Sequence, residues 1–145
     1  MLNPIKEIYN WQKTAGNLDK PYDDFLESSF QIEEALEGFD LSTLPNEIDG
    51  DSPKLVARQI CQFLEFVEDD VARLDKACDA IVYAIGSIAK LGLDHHGITK
   101  ALNIVNNANK SKLGMARDEH GKLLKPADFT GPEAELAKLL SESRR

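Results

Sequence analysis

Basic charge, cysteine and unbroken apolar sequence are all scarce in this chain of 145 residues, and each scarcity excludes something. With 17 Lys and Arg against 25 Asp and Glu, the formal charge is −8. General nucleic-acid binding draws its affinity from cations meeting phosphates, so that role is excluded and any anionic ligand must be held locally. The 2 cysteines, Cys61 and Cys78, sit 17 positions apart with no Cys-x-x-Cys, which reads as buried thiols in a reducing, cytoplasmic compartment. The most apolar stretch, Ala80 to Ala89, is broken by Gly86 and Ser87 and falls far short of the roughly 20 residues of a membrane-crossing helix. The N-terminus reaches Glu7 before any apolar run forms, so neither a secretory signal nor a membrane partner is expected.

The chain is 42% hydrophobic and 29% charged, ordinary for a packed protein, and its length predicts one domain over 1–145. Helical periodicity dominates; strand-like alternation is confined to a short stretch after residue 114. The predicted class is all-α, an antiparallel bundle of four to five helices. Asn3-Pro4 opens the first helix and Gly16 closes it. A second runs from Asp23 or Asp24 to Gly38. Asp49-Gly50-Asp51 lacks the rest of a calcium loop and is read as capping the helix that Ser52-Pro53 starts. The helical pattern then continues to Gly92, as one helix or as two broken at Glu68-Asp69-Asp70. Another helix begins near Gly97 or Ile98, and Gly131-Pro132 introduces the last, through about Ser141.

Chemistry concentrates in three places. On a 100° wheel with Phe25 at zero, Glu33, Glu34 and Glu37 fall at about 80°, 180° and 120°, bordering the apolar surface, with Glu34 and Glu37 able to address one object. Carboxylates so close together repel and lose hydration, which a hard cation such as Mg²⁺ or Mn²⁺ relieves; the alternative is a solvated acidic face. Asp75 and Asp79 project from one side of the long helix, Asp79 within the apolar run Ala77 to Ile85, where burial of a carboxylate demands a partner; Asp75 reads equally well as a surface ion pair with Arg73 or Lys76. Asn109 shares a face with Ile98, Leu102 and Val105, and either caps its helix or orients a ligand. Beside it Lys110, Lys112, Arg117, Lys122 and Lys125 outnumber Asp118 and Glu119, so this stretch carries +3 in a chain of −8. A metal-bound polyphosphate needs both: carboxylates for the metal, cations for its oxygens.

Other patterns fail. Gly114 to Gly121-Lys122-Leu123 is not a phosphate loop, and His95-His96 reads as a helix-start pair without further zinc ligands. No nucleophile elbow or Cys-His pattern points to covalent catalysis.

The order Glu33-Glu34-x-x-Glu37, an Asp-bearing apolar helix ending Lys90-Leu91-Gly92-Leu93-Asp94, Asn107-Ala108-Asn109-Lys110-Ser111-Lys112, and Gly121-Lys122-Leu123-Leu124-Lys125-Pro126 resembles the all-α nucleoside triphosphate pyrophosphohydrolase superfamily, the MazG-like and phosphoribosyl-ATP-pyrophosphohydrolase-like proteins, over roughly residues 20–130. The resemblance implies a helical homodimer or tetramer that hydrolyses a nucleoside or deoxynucleoside triphosphate to monophosphate and pyrophosphate with Mg²⁺. Its E-x-x-E maps onto Glu34 and Glu37 and the Asp of its E-x-x-D onto Asp79. The remaining acid falls at Lys76, which leaves Asp75 as its replacement and Glu33 as an extra ligand or general base. Asn109, Lys112 and Lys125 match nucleotide or phosphate contacts, and Lys122 matches more loosely. Lys76 also keeps open an inactive helical binding or scaffold module; within the class, a dUTP-specific hydrolase is the rival.

Overall fold

A computed structural model describes residues 1–48, 50 and 52–144, so the capping expected of Asp49 and Asp51 lies outside the described residues. Its order is α1 (Pro4–Thr14), α2 (Asp24–Leu36), α3 (Pro53–Gln62), α4 (Asp70–Lys90), α5 (His95–Lys110) and α6 (Glu133–Ser143), with short 3-10 turns at Asn17–Asp19 and Leu41–Thr43. The all-α class holds among the described residues; the helices number six, one more than the upper expectation.

Most helix starts follow from capping. Asn3 Oδ1 accepts from the Ile5 and Lys6 amides at 3.0 and 3.3 Å ahead of Pro4. Asp23 caps α2, Ser52 caps α3 ahead of Pro53, and Asp94 caps α5 through the Gly97 amide at 2.9 Å. Gly16, at φ +77°, ends the first helical segment in a left-handed turn. The long pattern resolves into two helices: α3 stops at Gln62, and α4 restarts at Asp70, within the acidic patch. The α5 helix starts at His95, two residues earlier than its apolar periodicity predicts, because Asp94 supplies a cap.

The chain divides into two compact units. The first comprises residues 1–20 and 76–145. There Leu93, Ile98, Ala101 and Leu139 form a core that Ile88, Leu102, Leu136 and Leu140 pack against, while Trp11 Nε1 donates to the Asn109 carbonyl at 2.9 Å and ties α1 to the end of α5. The second unit, residues 21–75, is built on the packing of α2 against α3, with Ser29, Val56, Ala57, Arg58 and Cys61 buried. In this unit Arg73 reaches Asp24 at 2.5 Å and Asp70 at 2.9 Å and lies over the Tyr22 ring. Those carboxylates hold its pKa above the ordinary arginine value, Asp24 first.

Candidate functional site

The basic stretch after α5 is a folded turn. Arg117 and Leu123 form an isolated antiparallel bridge, the strand-like stretch visible after residue 114. Asp118 closes its tip: one carboxylate oxygen accepts from the His120 and Lys122 amides at 2.9 and 3.0 Å, and Gly121 takes φ +87°. Arg117 secures the base. Its guanidinium donates to the Gly121 carbonyl at 2.6 Å, to Asn17 Oδ1 at 2.9 Å and to the Ala15 carbonyl, fastening the turn to the end of α1. This basic residue is therefore a brace, and Lys122 contributes its backbone to the same turn.

Three of the four expected ligand-binding residues come together on this frame. Asn109, near the end of α5, accepts a hydrogen bond from Lys112 Nζ at 3.1 Å. Lys112 Nζ lies 5.5 Å from the centroid of the Phe129 ring and Lys125 Nζ 5.1 Å from it. The two ammonium groups are thus no farther apart than the sum of those distances. Ring faces attract cations modestly, by about 0.5–1 kcal/mol at exposed sites, so Phe129 helps to orient both lysines. An open groove of about 380 Å³ is lined among others by Ser111, Pro126, Asp128, Thr130 and Glu135; its lining residues flank the cluster in sequence but include neither lysine nor Phe129.

The carboxylates are arranged differently. Glu33 is half-buried, whereas Glu34 and Glu37 are exposed at the end of α2, Glu37 taking the C-cap position just past Leu36. Asp75 and Asp79 are exposed on α4. The burial expected around Asp79 does not occur among the described residues: Ile81, Val82 and Tyr83 are 59, 64 and 77% exposed. Cys78 is exposed too, and of the two thiols only Cys61 is buried. Arg73, one expected partner of Asp75, instead serves Asp24 and Asp70. Oxygen donors of this kind suit Mg²⁺ chemically, but among the described residues of either unit no three Asp, Glu, His or Cys side chains gather as a metal-ligating group.

No family model, curated protein or solved structure matches the chain. The site therefore stands on its own residues. Sequence reasoning missed Phe129 and the bracing by Arg117 and Trp11. Phe129 carried a signal, as the lone Phe, Tyr or Trp after Tyr83, four positions beyond Lys125; the bracing contacts span about a hundred positions and left none. Among the described residues, no helix is long and apolar enough to cross a membrane.

Proposed function

We propose that the chain is an Mg²⁺-dependent nucleotide pyrophosphohydrolase of the MazG-like kind, converting a nucleoside or deoxynucleoside triphosphate and water to the monophosphate and pyrophosphate. The observation that carries this reading is the convergence of Asn109, Lys112 and Lys125 at Phe129. In a chain of net charge −8, two lysines held at one aromatic ring supply the local cationic group that an acidic protein needs for a phosphate ligand. Glu34, Glu37, Asp75 and Asp79 are the oxygen donors assigned to the metal, which when bound neutralises triphosphate charge, and Glu33 is assigned as base toward the attacking water. Association into a homodimer or tetramer belongs to the reading, because a thin helical unit offers little wall around a nucleotide.

The test is a panel of NTPs and dNTPs with Mg²⁺ or Mn²⁺ and identification of the product. Pyrophosphate release is expected; Glu37→Gln and Asp79→Asn abolish it. Lys112→Ala and Lys125→Ala each raise KM by roughly 10- to 100-fold, since a hydrogen bond to a charged group is worth about 1.5–3 kcal/mol. No turnover of any nucleotide, release of orthophosphate alone, or a fully active Asp79→Asn overturns the reading. The exposed, ungathered carboxylates and Lys76 favour one second reading, a helical binding module without catalysis, which predicts nucleotide binding unaffected by Mg²⁺.

A further inference from the structure

Within the first unit, α5 and α6 pack against each other and leave a polar cleft along their contact. One stretch of it holds about 370 Å³, where Lys100 and Asn103 of α5 face Lys138 and Glu142 of α6. The other is the open groove of about 380 Å³, where Ser111 faces Asp128 and Thr130. Asn107 and Glu135 line both stretches and mark the junction, so the cleft runs lengthwise between helices of opposite direction. From position 100 to position 111 the helix rises about 16 Å.

Charge is sorted along that length. Lys100 and Lys138 stand at one end, with Glu142 one turn beyond Lys138, while Asp128 stands at the other end and Glu135 at the junction. All five side chains are exposed, and among the described residues none of them forms an ion pair. The amides between the two ends are only partly used. Asn103 Nδ2 donates to the Leu2 carbonyl at 3.1 Å, whereas its Oδ1 is buried with no hydrogen-bond partner, an acceptor that calls for an N–H. Asn107 is exposed at the junction, and its side-chain amide offers the donor and the acceptor that complement a peptide group.

We propose that this cleft binds a short, extended peptide with free termini, its carboxylate held by Lys100 and Lys138, its backbone by Asn103 and Asn107, and its ammonium by Asp128 and Glu135. At about 3.3 Å per residue, five residues span the about 16 Å between the ends. A polyphosphate is the wrong ligand here, because three carboxylates face the cleft against two lysines. The site is therefore distinct from the lysines at Phe129 and does not rest on the pyrophosphohydrolase reading.

The test is equilibrium dialysis of the full chain against pentapeptides randomised at all five positions, with the retained peptides quantified by mass spectrometry. The free-terminus pool is expected to show saturable retention of a subset. N-acetylated and C-amidated pools each bind at least about tenfold more weakly, because each lacks one charge-assisted contact. Lys100→Gln with Lys138→Gln erases the difference between free and amidated pools and leaves the effect of acetylation; Asp128→Asn with Glu135→Gln does the reverse. Asn107→Ala weakens every pool alike. These side chains are exposed, so unchanged helical circular dichroism is expected of each variant. Absence of saturable retention overturns the proposal, as does equal retention of capped and free pools. Retention that survives all three variants puts the peptide elsewhere and overturns it too, and a lysine variant that erases the effect of acetylation contradicts the assigned polarity.

Discussion

Asp94 shows how a single side chain writes pH dependence into this fold. Its carboxylate caps α5, and the hydrogen bond from the Gly97 amide, ahead of the lesser influence of His95 and His96, holds its pKa below the usual carboxylate value. A group depressed on folding stabilises the native state above its unfolded pKa and loses that contribution as pH falls through the folded one. The start of α5 is therefore expected to weaken as pH drops from about 5 to below 4. The Gly97 amide resonance should titrate with a midpoint below that of an unfolded aspartate, and Asp94→Asn, which keeps a capping oxygen, should abolish the titration. A midpoint at the ordinary value would show that the cap does not hold in solution. Asp94 itself could be read as a helix start, as Asn3-Pro4 and Ser52-Pro53 were, because a cap acts over three residues. Phe129 and Arg117 act through neighbours that the chain brings from far away, and residue type alone does not say which basic side chain braces and which faces a ligand.

At the scale of elements, sequence periodicity located the helices but not what covers them. The apolar residues that mark α4 keep a 3.5-residue spacing, and periodicity of that kind does not say what, if anything, covers them. The break at residues 63–69 has a similar origin. Apolar residues Leu64 and Val67 keep the repeat in register across it, so periodicity alone continues through, and the chain nevertheless leaves the helix before Asp70. Gly86 offers a test of α4 as a helix in solution. A Cβ built there meets nothing within 4 Å, and the position lies off the apolar repeat. Gly86→Ala thus removes only the entropic penalty of glycine, about 1 kcal/mol in a helix interior, and should raise Tm by roughly 2–8 °C in a thermal melt. A lower Tm would mean that this side of α4 is covered.

For the whole molecule, the balance between apolar content and burial decides what must be measured. Hydrophobic residues are 42% of the sequence, yet the buried apolar side chains among the described residues are only Val56, Ala57, Cys61, Leu93, Ile98, Ala101 and Leu139. Stability resting on so thin a core is sensitive to anything that binds the native state alone. If Glu34, Glu37, Asp75 and Asp79 hold Mg²⁺, saturation at 100 times Kd adds about 2.7 kcal/mol, which for a chain of this size is a rise in Tm of roughly 5–10 °C. Charge screening alone imitates part of that rise in an acidic protein, because any salt relieves its self-repulsion. The comparison must therefore be Mg²⁺ against NaCl at equal ionic strength. An excess shift with Mg²⁺ that disappears in Glu34→Gln with Glu37→Gln assigns the ion to these carboxylates. Equal shifts in the two salts reduce them to a solvated acidic face and leave the lysine cluster at Phe129 as the anion site of a protein that binds without a metal.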